Sequence, residues 1–299
     1  MDIRAIFLGL AFALMWSSAF SSARMIVVDA PPLMALALRF LISGAMGVAI
    51  ARALGQGWSL TGAQWRATII FGVCQNALYL GLYFIAMQTI EASLAAIIAS
   101  SMPLLVALAG WLVLGEPLRP LALAGLTAGF FGVLVIMGAR LGAGIDLYGL
   151  ALCVAGVIAL TVATLAVRSA SATGGNLLMI VGLQMLIGAA VLSVPALALE
   201  TFEVRWSWTL VLAFVYTTLV PGLAATWVWF VLVGRIGALR AATFHFLNPF
   251  FGVAIAALLL GEALGVFDLL GVIVIMLGIL AVQLSRAQTG TSGRRPPSN

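Results

Sequence analysis

Few side chains in this sequence can do chemistry, and most of them stand inside apolar runs. His245 is the only histidine and precedes Pro249 by one helical turn. An imidazole there can bind a carboxylate, exchange a proton between two states, or stay neutral and bond a neighbouring helix. Arg39 stands within Leu38-Arg39-Phe40. A guanidinium at depth is costly, so it serves a function, snorkels to an interface, or pairs with an acid. Ser100, Ser101 and His245 offer the parts of a nucleophile–base pair. No Gly-x-Ser-Gly within a span, no His-Glu-x-x-His and no pair of membrane aspartates completes a catalytic set, so no enzyme is expected.

A second group is aromatic and amide. Gly72, Asn76, Tyr79 and Tyr83 follow the spacing of one helix face, and Thr218, Gly222, Ala225 and Trp229 repeat it with Pro221 beside them. Ser17, Ser21 and Arg24 make a further face, as do Thr161, Thr164 and Arg168. Small hydroxyl residues at such spacing also serve plain helix–helix contact. Bulky amphipathic rings hinder close packing, which points Asn76, Tyr79, Tyr83 and Trp229 toward a cavity. Trp16, Ser17, Ser100 and His245 join them as candidate substrate-binding residues. Pro103, Pro221 and Pro249 are the candidate kink or gating positions, because a proline within a helix frees the carbonyl four residues earlier.

The elements that must position these residues are membrane helices. The 299 residues are 64% hydrophobic and 8% charged, with mean hydropathy +1.22. A soluble domain carries about 25% charged residues. A soluble enzyme, a disordered chain and a nucleic-acid binder are excluded, and the partners expected are a small molecule and the lipid bilayer. Cys74 and Cys153 sit in apolar runs and offer neither a disulfide framework nor a metal site, and no cofactor is expected. The fold class is all-α and polytopic, with spans at about 4–24, 33–51, 66–88, 92–114, 120–138, 147–167, 176–199, 207–233, 238–260 and 265–285. The opening residues also carry a signal-peptide-like pattern, but the repeat described next needs them as a span. The polar stretch 286–299 is expected to be a disordered tail.

All fourteen basic residues are arginine. With the N-terminus inside, Arg4, Arg52, Arg66, Arg119, Arg168, Arg235, Arg240, Arg286, Arg294 and Arg295 are cytoplasmic, while Arg24, Arg140 and Arg205 are outside. That bias places both termini in the cytoplasm. No Asp or Glu falls in the middle of a span, which leaves carboxylate-based ion coupling without a carrier. Glu116 and Glu262 are expected to cap the N-termini of the fifth and tenth spans.

The chain also repeats itself. Ile90–Leu118 aligns without a gap on Ile236–Leu264 at an offset of 146, sharing the central Pro103/Pro249 and the Gly-Glu of Gly115-Glu116 and Gly261-Glu262. Residues 1–143 and 144–285 therefore read as two five-span units. Five is odd, so the second unit enters the membrane upside down, as in many secondary transporters.

Trp16-Ser17, Leu38-Arg39-Phe40, and the Pro then Leu-Gly-Glu of Pro103 with Leu114-Gly115-Glu116 and Pro249 with Leu260-Gly261-Glu262 occur in an order that resembles EamA-type members of the drug/metabolite transporter superfamily. The resemblance covers nearly the whole chain. It implies a carrier of the bacterial inner membrane that exports amino acids, other metabolites or drugs by alternating access from a central cavity. Within that class the aromatic faces suit amino acids, aromatic ones included, with flow uncoupled from ion gradients. Efflux of drugs or cationic compounds through cation–π contacts is the alternative. A monomer or weak homo-oligomer is expected.

Overall fold

The computed structural model describes residues 3–142, 144–168 and 176–292. Ten helices among these are long and apolar enough to cross a membrane. Numbered in chain order as spans 1 to 10, they are Ile3–Asp29, Pro32–Ala53, Gly62–Ala86, Ala92–Leu114, Pro120–Gly142, Leu147–Ala166, Leu177–Leu199, Trp208–Ile236, Arg240–Leu260 and Val266–Ser285. The described residues contain no strand.

The largest departure from the expected bounds is span 1, which continues to Asp29. Its last turns stay helical because their polar groups are bonded to other spans. Arg24 donates to the Met87 carbonyl, and Asp29 accepts from the Ser207 hydroxyl at 3.0 Å. At the other end of the chain, helix continues from span 10 to Ser292, so the first part of the stretch expected to be disordered is helical. Residues 293–299 lie outside the described residues, as does the stretch 169–175 between spans 6 and 7.

Outward faces are apolar. Leu134, Leu197, Leu258 and Leu277 are all more than half exposed, as side chains facing hydrocarbon should be. Inward faces use small residues so that backbones approach. A Cβ on Gly125 would lie 2.6 Å from the Gly278 carbonyl oxygen, and one on Gly132 would lie 2.9 Å from that of Gly271. Gly125 and Gly132 match Gly271 and Gly278 at the 146-residue offset, so each glycine meets the counterpart of the other. Spans 5 and 10 thus run antiparallel through a reciprocal glycine contact.

Other contacts follow the same exchange. Span 1 packs on spans 8 and 9, and span 6 packs on spans 3 and 4. Span 2 meets span 8 as span 7 meets span 3, while spans 2 and 7 lie along each other.

The candidate kinks are chain restarts. Span 4 is interrupted at Ser101 and resumes at Met102, with Pro103 in the first turn of the new segment. Span 9 tightens to a 3₁₀ turn over Phe244–Leu247 and resumes at Asn248, with Pro249 likewise placed. A first-turn proline costs no hydrogen bond. Both segments end at a glycine with positive φ, Gly115 at 65° and Gly261 at 67°.

Glu262 does not cap span 10. Its carboxylate accepts the backbone N–H groups of Ala92 and Ser93, at 2.7 and 2.9 Å, at the start of span 4. The positive end of that helix lies beside it across the repeat boundary. Glu200, after span 7, does the same for Leu33 and Met34 of span 2, at 2.7 and 2.8 Å. The cap that begins span 10 is Asp268, which accepts the Gly265 N–H at 2.9 Å.

Candidate functional site

Two irregularities in the helices prepare the site. Span 3 widens into a π-helical stretch at Gly72–Tyr79, and span 8 does so at Thr218–Ala224. They begin one repeat offset apart. A π-bulge inserts an extra residue per turn, re-aims the side chains after it, and frequently marks a functional position. Pro221 and Gly222 lie inside the second bulge.

Between these bulges lies a cavity of about 390 Å³, at the small end for a metabolite site. Trp16, Arg39, Asn76, Tyr79, Ser100, Pro103, Pro221, Trp229 and His245 line it. Its mouth is marked by Gln64, Thr68 and Leu177, which belong to the first turns of spans 3 and 7. The cavity therefore opens on the face where the chain begins, here called the N-terminal face. A smaller cavity of about 50 Å³ continues past Arg39 and Tyr79 to Met87, near the opposite face.

The ring cluster is built from spans 1, 8 and 9. Ring centroids of Phe12 and Trp229 lie 4.8 Å apart, and His245 lies 5.2 Å from Phe12 and 5.3 Å from Trp229. Trp16 meets His245 edge-on at 6.5 Å. The Asn248 amide nitrogen is 3.0 Å from His245 Nδ1. The Asn248 side-chain amide and the His245 ring are thus hydrogen-bonded to each other within span 9.

Arg39 is buried, at 6% exposure, and does not snorkel. No acid among the described residues pairs with it, and its Nε has no hydrogen-bond partner. Its guanidinium carbon lies 5.2 Å from the centroid of the Phe40 ring. Asn76 is fixed in the cavity wall by donating to the Gln184 carbonyl at 2.9 Å.

Three candidates stand elsewhere. Ser17 is fully buried and donates to the Asn248 carbonyl at 3.2 Å, a contact between spans 1 and 9. Tyr83 is fully buried beyond the cavity, 4.6 Å from Tyr79 and 6.2 Å from Phe20 between ring centroids. Pro249 does not line the cavity, although its neighbour Asn248 does. Ser100 lines the cavity, but its hydroxyl donates to the Ala96 carbonyl at 2.6 Å, and Ser101 bonds Ile98 likewise at 2.7 Å. Neither hydroxyl bonds His245.

Sequence reasoning missed Gln75, Gln184 and Asn248, which also line the cavity. An uncharged amide inside an apolar run was the available signal.

On the face opposite the N-terminus ion pairs and hydrogen bonds join the spans. Arg140 bonds Glu91 at 2.6 Å and Asp268 at 2.9 Å. The Thr89 hydroxyl reaches Asp146 at 2.5 Å. The Glu200 and Glu262 caps lie on this face too. The Asp146 carboxyl is held below its usual range by the Thr89 hydroxyl and by the Gly149 and Tyr148 N–H groups. No group of three or more metal-ligating side chains occurs among the described residues.

The profile described as the EamA-like transporter family matches residues 3–138 and again 147–284. An "uncharacterized transporter YvbV" of Bacillus subtilis (strain 168) is 27% identical over 283 residues, 93% of this chain and 92% of that protein. An "aromatic amino acid exporter YddG" of Ancylobacter novellus is 33% identical over 138 residues, 46% of this chain and 47% of that one. A solved crystal structure superposes with a TM-score of 0.68 over 95% of this chain and 98% of its own, at 23% identity, and speaks to the fold alone.

Proposed function

Because the chain belongs to the EamA-like transporter family of the drug/metabolite transporter superfamily, we propose that it is a carrier that exports small metabolites, amino acids with aromatic side chains foremost, by alternating access. The observation that carries this reading is the ring-lined cavity between matched bulges of spans 3 and 8, with its mouth at one face and the Arg140 ion pairs at the other. The exporter named for aromatic amino acids, similar over nearly half of the chain, supports the same substrate class. In this reading residues 1–143 and 144–285 act as two inverted units. Both termini are cytoplasmic, the membrane is the bacterial inner membrane, and the cavity faces the cytoplasm.

Trp229, Trp16 and His245 would hold the side chain of the substrate by ring contacts, each worth about 0.5–1.5 kcal/mol beyond area burial. Asn76 and Ser100 would complete the wall, while the bulge at Pro221 would let span 8 bend as the cavity changes face. Flow is down the gradient of the substrate itself, because no carboxylate sits in mid-span and the imidazole of His245 is engaged with Asn248.

Counterflow in proteoliposomes tests this. Preloaded L-phenylalanine should drive saturable uptake of labelled L-phenylalanine, and collapsing the proton gradient should leave the rate unchanged. Failure of counterflow across a panel of amino acids, with success for cationic drugs, would replace this reading with the efflux alternative. A rate abolished with the proton gradient would end the uncoupled mechanism.

A further inference from the structure

Arg39 is one of two buried polar side chains left without a partner at the same spot. One turn along span 2, Ser43 is 1% exposed and its Oγ also has no hydrogen-bond partner. Both surround the empty side-chain position of Gly222 in the bulge of span 8. A Cβ built there would lie 3.2 Å from the Thr217 carbonyl oxygen, 3.5 Å from an Arg39 terminal nitrogen and 3.6 Å from Ser43 Oγ. Arg39 and Gly222 line the cavity and Ser43 stands behind them, so an unpartnered guanidinium nitrogen, an unpartnered hydroxyl and a position without a Cβ lie together at the edge of the cavity.

Leaving such groups unsatisfied at membrane depth is costly, and the cost is relieved by an acceptor that carries negative charge. We propose that Arg39, Ser43 and Gly222 form a carboxylate subsite, and that this subsite selects substrates by their acid group. This deepens the carrier reading above and rests on it. The guanidinium presents a fork that matches two carboxylate oxygens, and the Ser43 hydroxyl supplies a further donor. The guanidinium carbon lies 5.2 Å from the Phe40 ring centroid, and a cation–π contact leaves the N–H groups free to bond a ligand. The ring cluster of Phe12, Trp229 and His245 lines the same cavity and takes the apolar end. A substrate lacking the acid would leave the cation buried and unpaired, so the subsite rejects amines by the same chemistry that accepts acids.

Ligand protection of the purified full-length protein against thermal unfolding tests the subsite without requiring transport. The probes are L-phenylalanine, phenylacetate, which keeps the acid and lacks the amine, and phenethylamine, which keeps the amine and lacks the acid. The wild type should be protected by the first two and not by phenethylamine. Arg39→Gln should weaken phenylacetate about 10- to 100-fold, the range for losing a charge-assisted partner. Arg39→Lys should recover only part, because the fork is lost. Ser43→Ala and Gly222→Ala should each weaken it less, about 3- to 10-fold. These two keep the cation in place, so they report on the subsite even where Arg39 variants fail to fold.

Equal protection by phenethylamine and phenylacetate in the wild type would overturn the subsite, as would unchanged phenylacetate affinity in Ser43→Ala and Gly222→Ala. Chloride protecting as well as phenylacetate would reassign the position to inorganic anions and equally overturn it. Phenylacetate binding through Arg39 with no binding or counterflow of L-phenylalanine would uphold the subsite and remove the amino-acid reading. L-phenylalanine counterflow indifferent to Arg39 would do the reverse.

Discussion

The two halves of the chain contain the same parts in different arrangements. In the first half, span 1 packs on the first segment of span 4 and on the last turns of span 3, and span 2 packs on those same turns. Contacts of similar extent do not join spans 6 and 9, 6 and 8, or 7 and 8 among the described residues. The first half closes the face opposite the N-terminus, while the second half leaves the N-terminal face open. A two-fold exchange of the arrangements would open one face and close the other. In the carrier reading proposed above, that asymmetry would be the difference between the two states of the cycle.

The strongest way to break this comparison is at the seam where the halves must agree. Gly125 and Gly278 meet at backbone distance between spans 5 and 10. Gly125→Leu should cost about 1–3 kcal/mol or more by overpacking. Gly271→Leu at the matched position should cost a similar amount, since its Cβ would meet Ile136 at 2.3 Å and the Gly132 carbonyl at 2.9 Å. Thermal unfolding in detergent measures both. A large loss for one and none for the other would show that the seam is not shared equally.

The next test opens the closed face. Arg140 holds the start of span 10 through Asp268 and the start of span 4 through Glu91. Arg140→Gln should remove on the order of 1–2 kcal/mol from the closed arrangement, because the Asp268 side of the pair is buried and the Glu91 side is screened by solvent. In a background lacking Cys74 and Cys153, Met87→Cys should then be labelled faster by a membrane-impermeant thiol reagent from that face. Unchanged labelling would mean that the network holds helices together without holding a gate.

A smaller effect separates the two bulges. The bulge of span 3 contains no proline, and that of span 8 contains Pro221. Pro221→Ala restores a backbone N–H and permits a regular turn. If span 8 bends in the proposed cycle, the substitution should slow counterflow about 10-fold while leaving ligand protection within a factor of about 3. Equal losses in both measurements would make Pro221 a wall residue only.

Which features the sequence made legible follows from the range over which each is determined. Ten spans and the 146-residue offset were readable because hydropathy is local and an ungapped match survives packing. The faces of spans 3 and 8 were readable by helical spacing, and Asn76, Tyr79 and Trp229 do line the cavity. Spacing gives a face but not a depth, so Ser17 and Tyr83 were placed on the site although they stand behind and beyond it. The bulges left no pattern, since an extra residue in one turn is fixed by what the helix packs against. The Glu262 cap was misassigned for a similar reason. Span 10 is next in sequence, but the helix N-terminus that needs a carboxylate belongs to span 4, on the other side of the repeat boundary.

The smallest effect concerns one tie on the closed face and its dependence on pH. Asp146 caps the start of span 6 and accepts the Thr89 hydroxyl, which joins the end of span 3 to the second half. The folded carboxyl titrates below its unfolded value, chiefly through Thr89 and then Gly149. Its stabilisation is thus full above the unfolded carboxylate range of about 4 and is lost as pH falls through the lower folded value. Thr89→Val removes the largest cause. The melting temperature of the variant should lie slightly below that of the wild type at a constant gap above about pH 5, and the gap should close as the pH falls below about 4. Every other acid titrates in both proteins, so the difference isolates this one. A gap that persists at low pH would mean that Thr89 contributes by packing, and the carboxylate tie would drop out of the set that distinguishes the closed face from the open one.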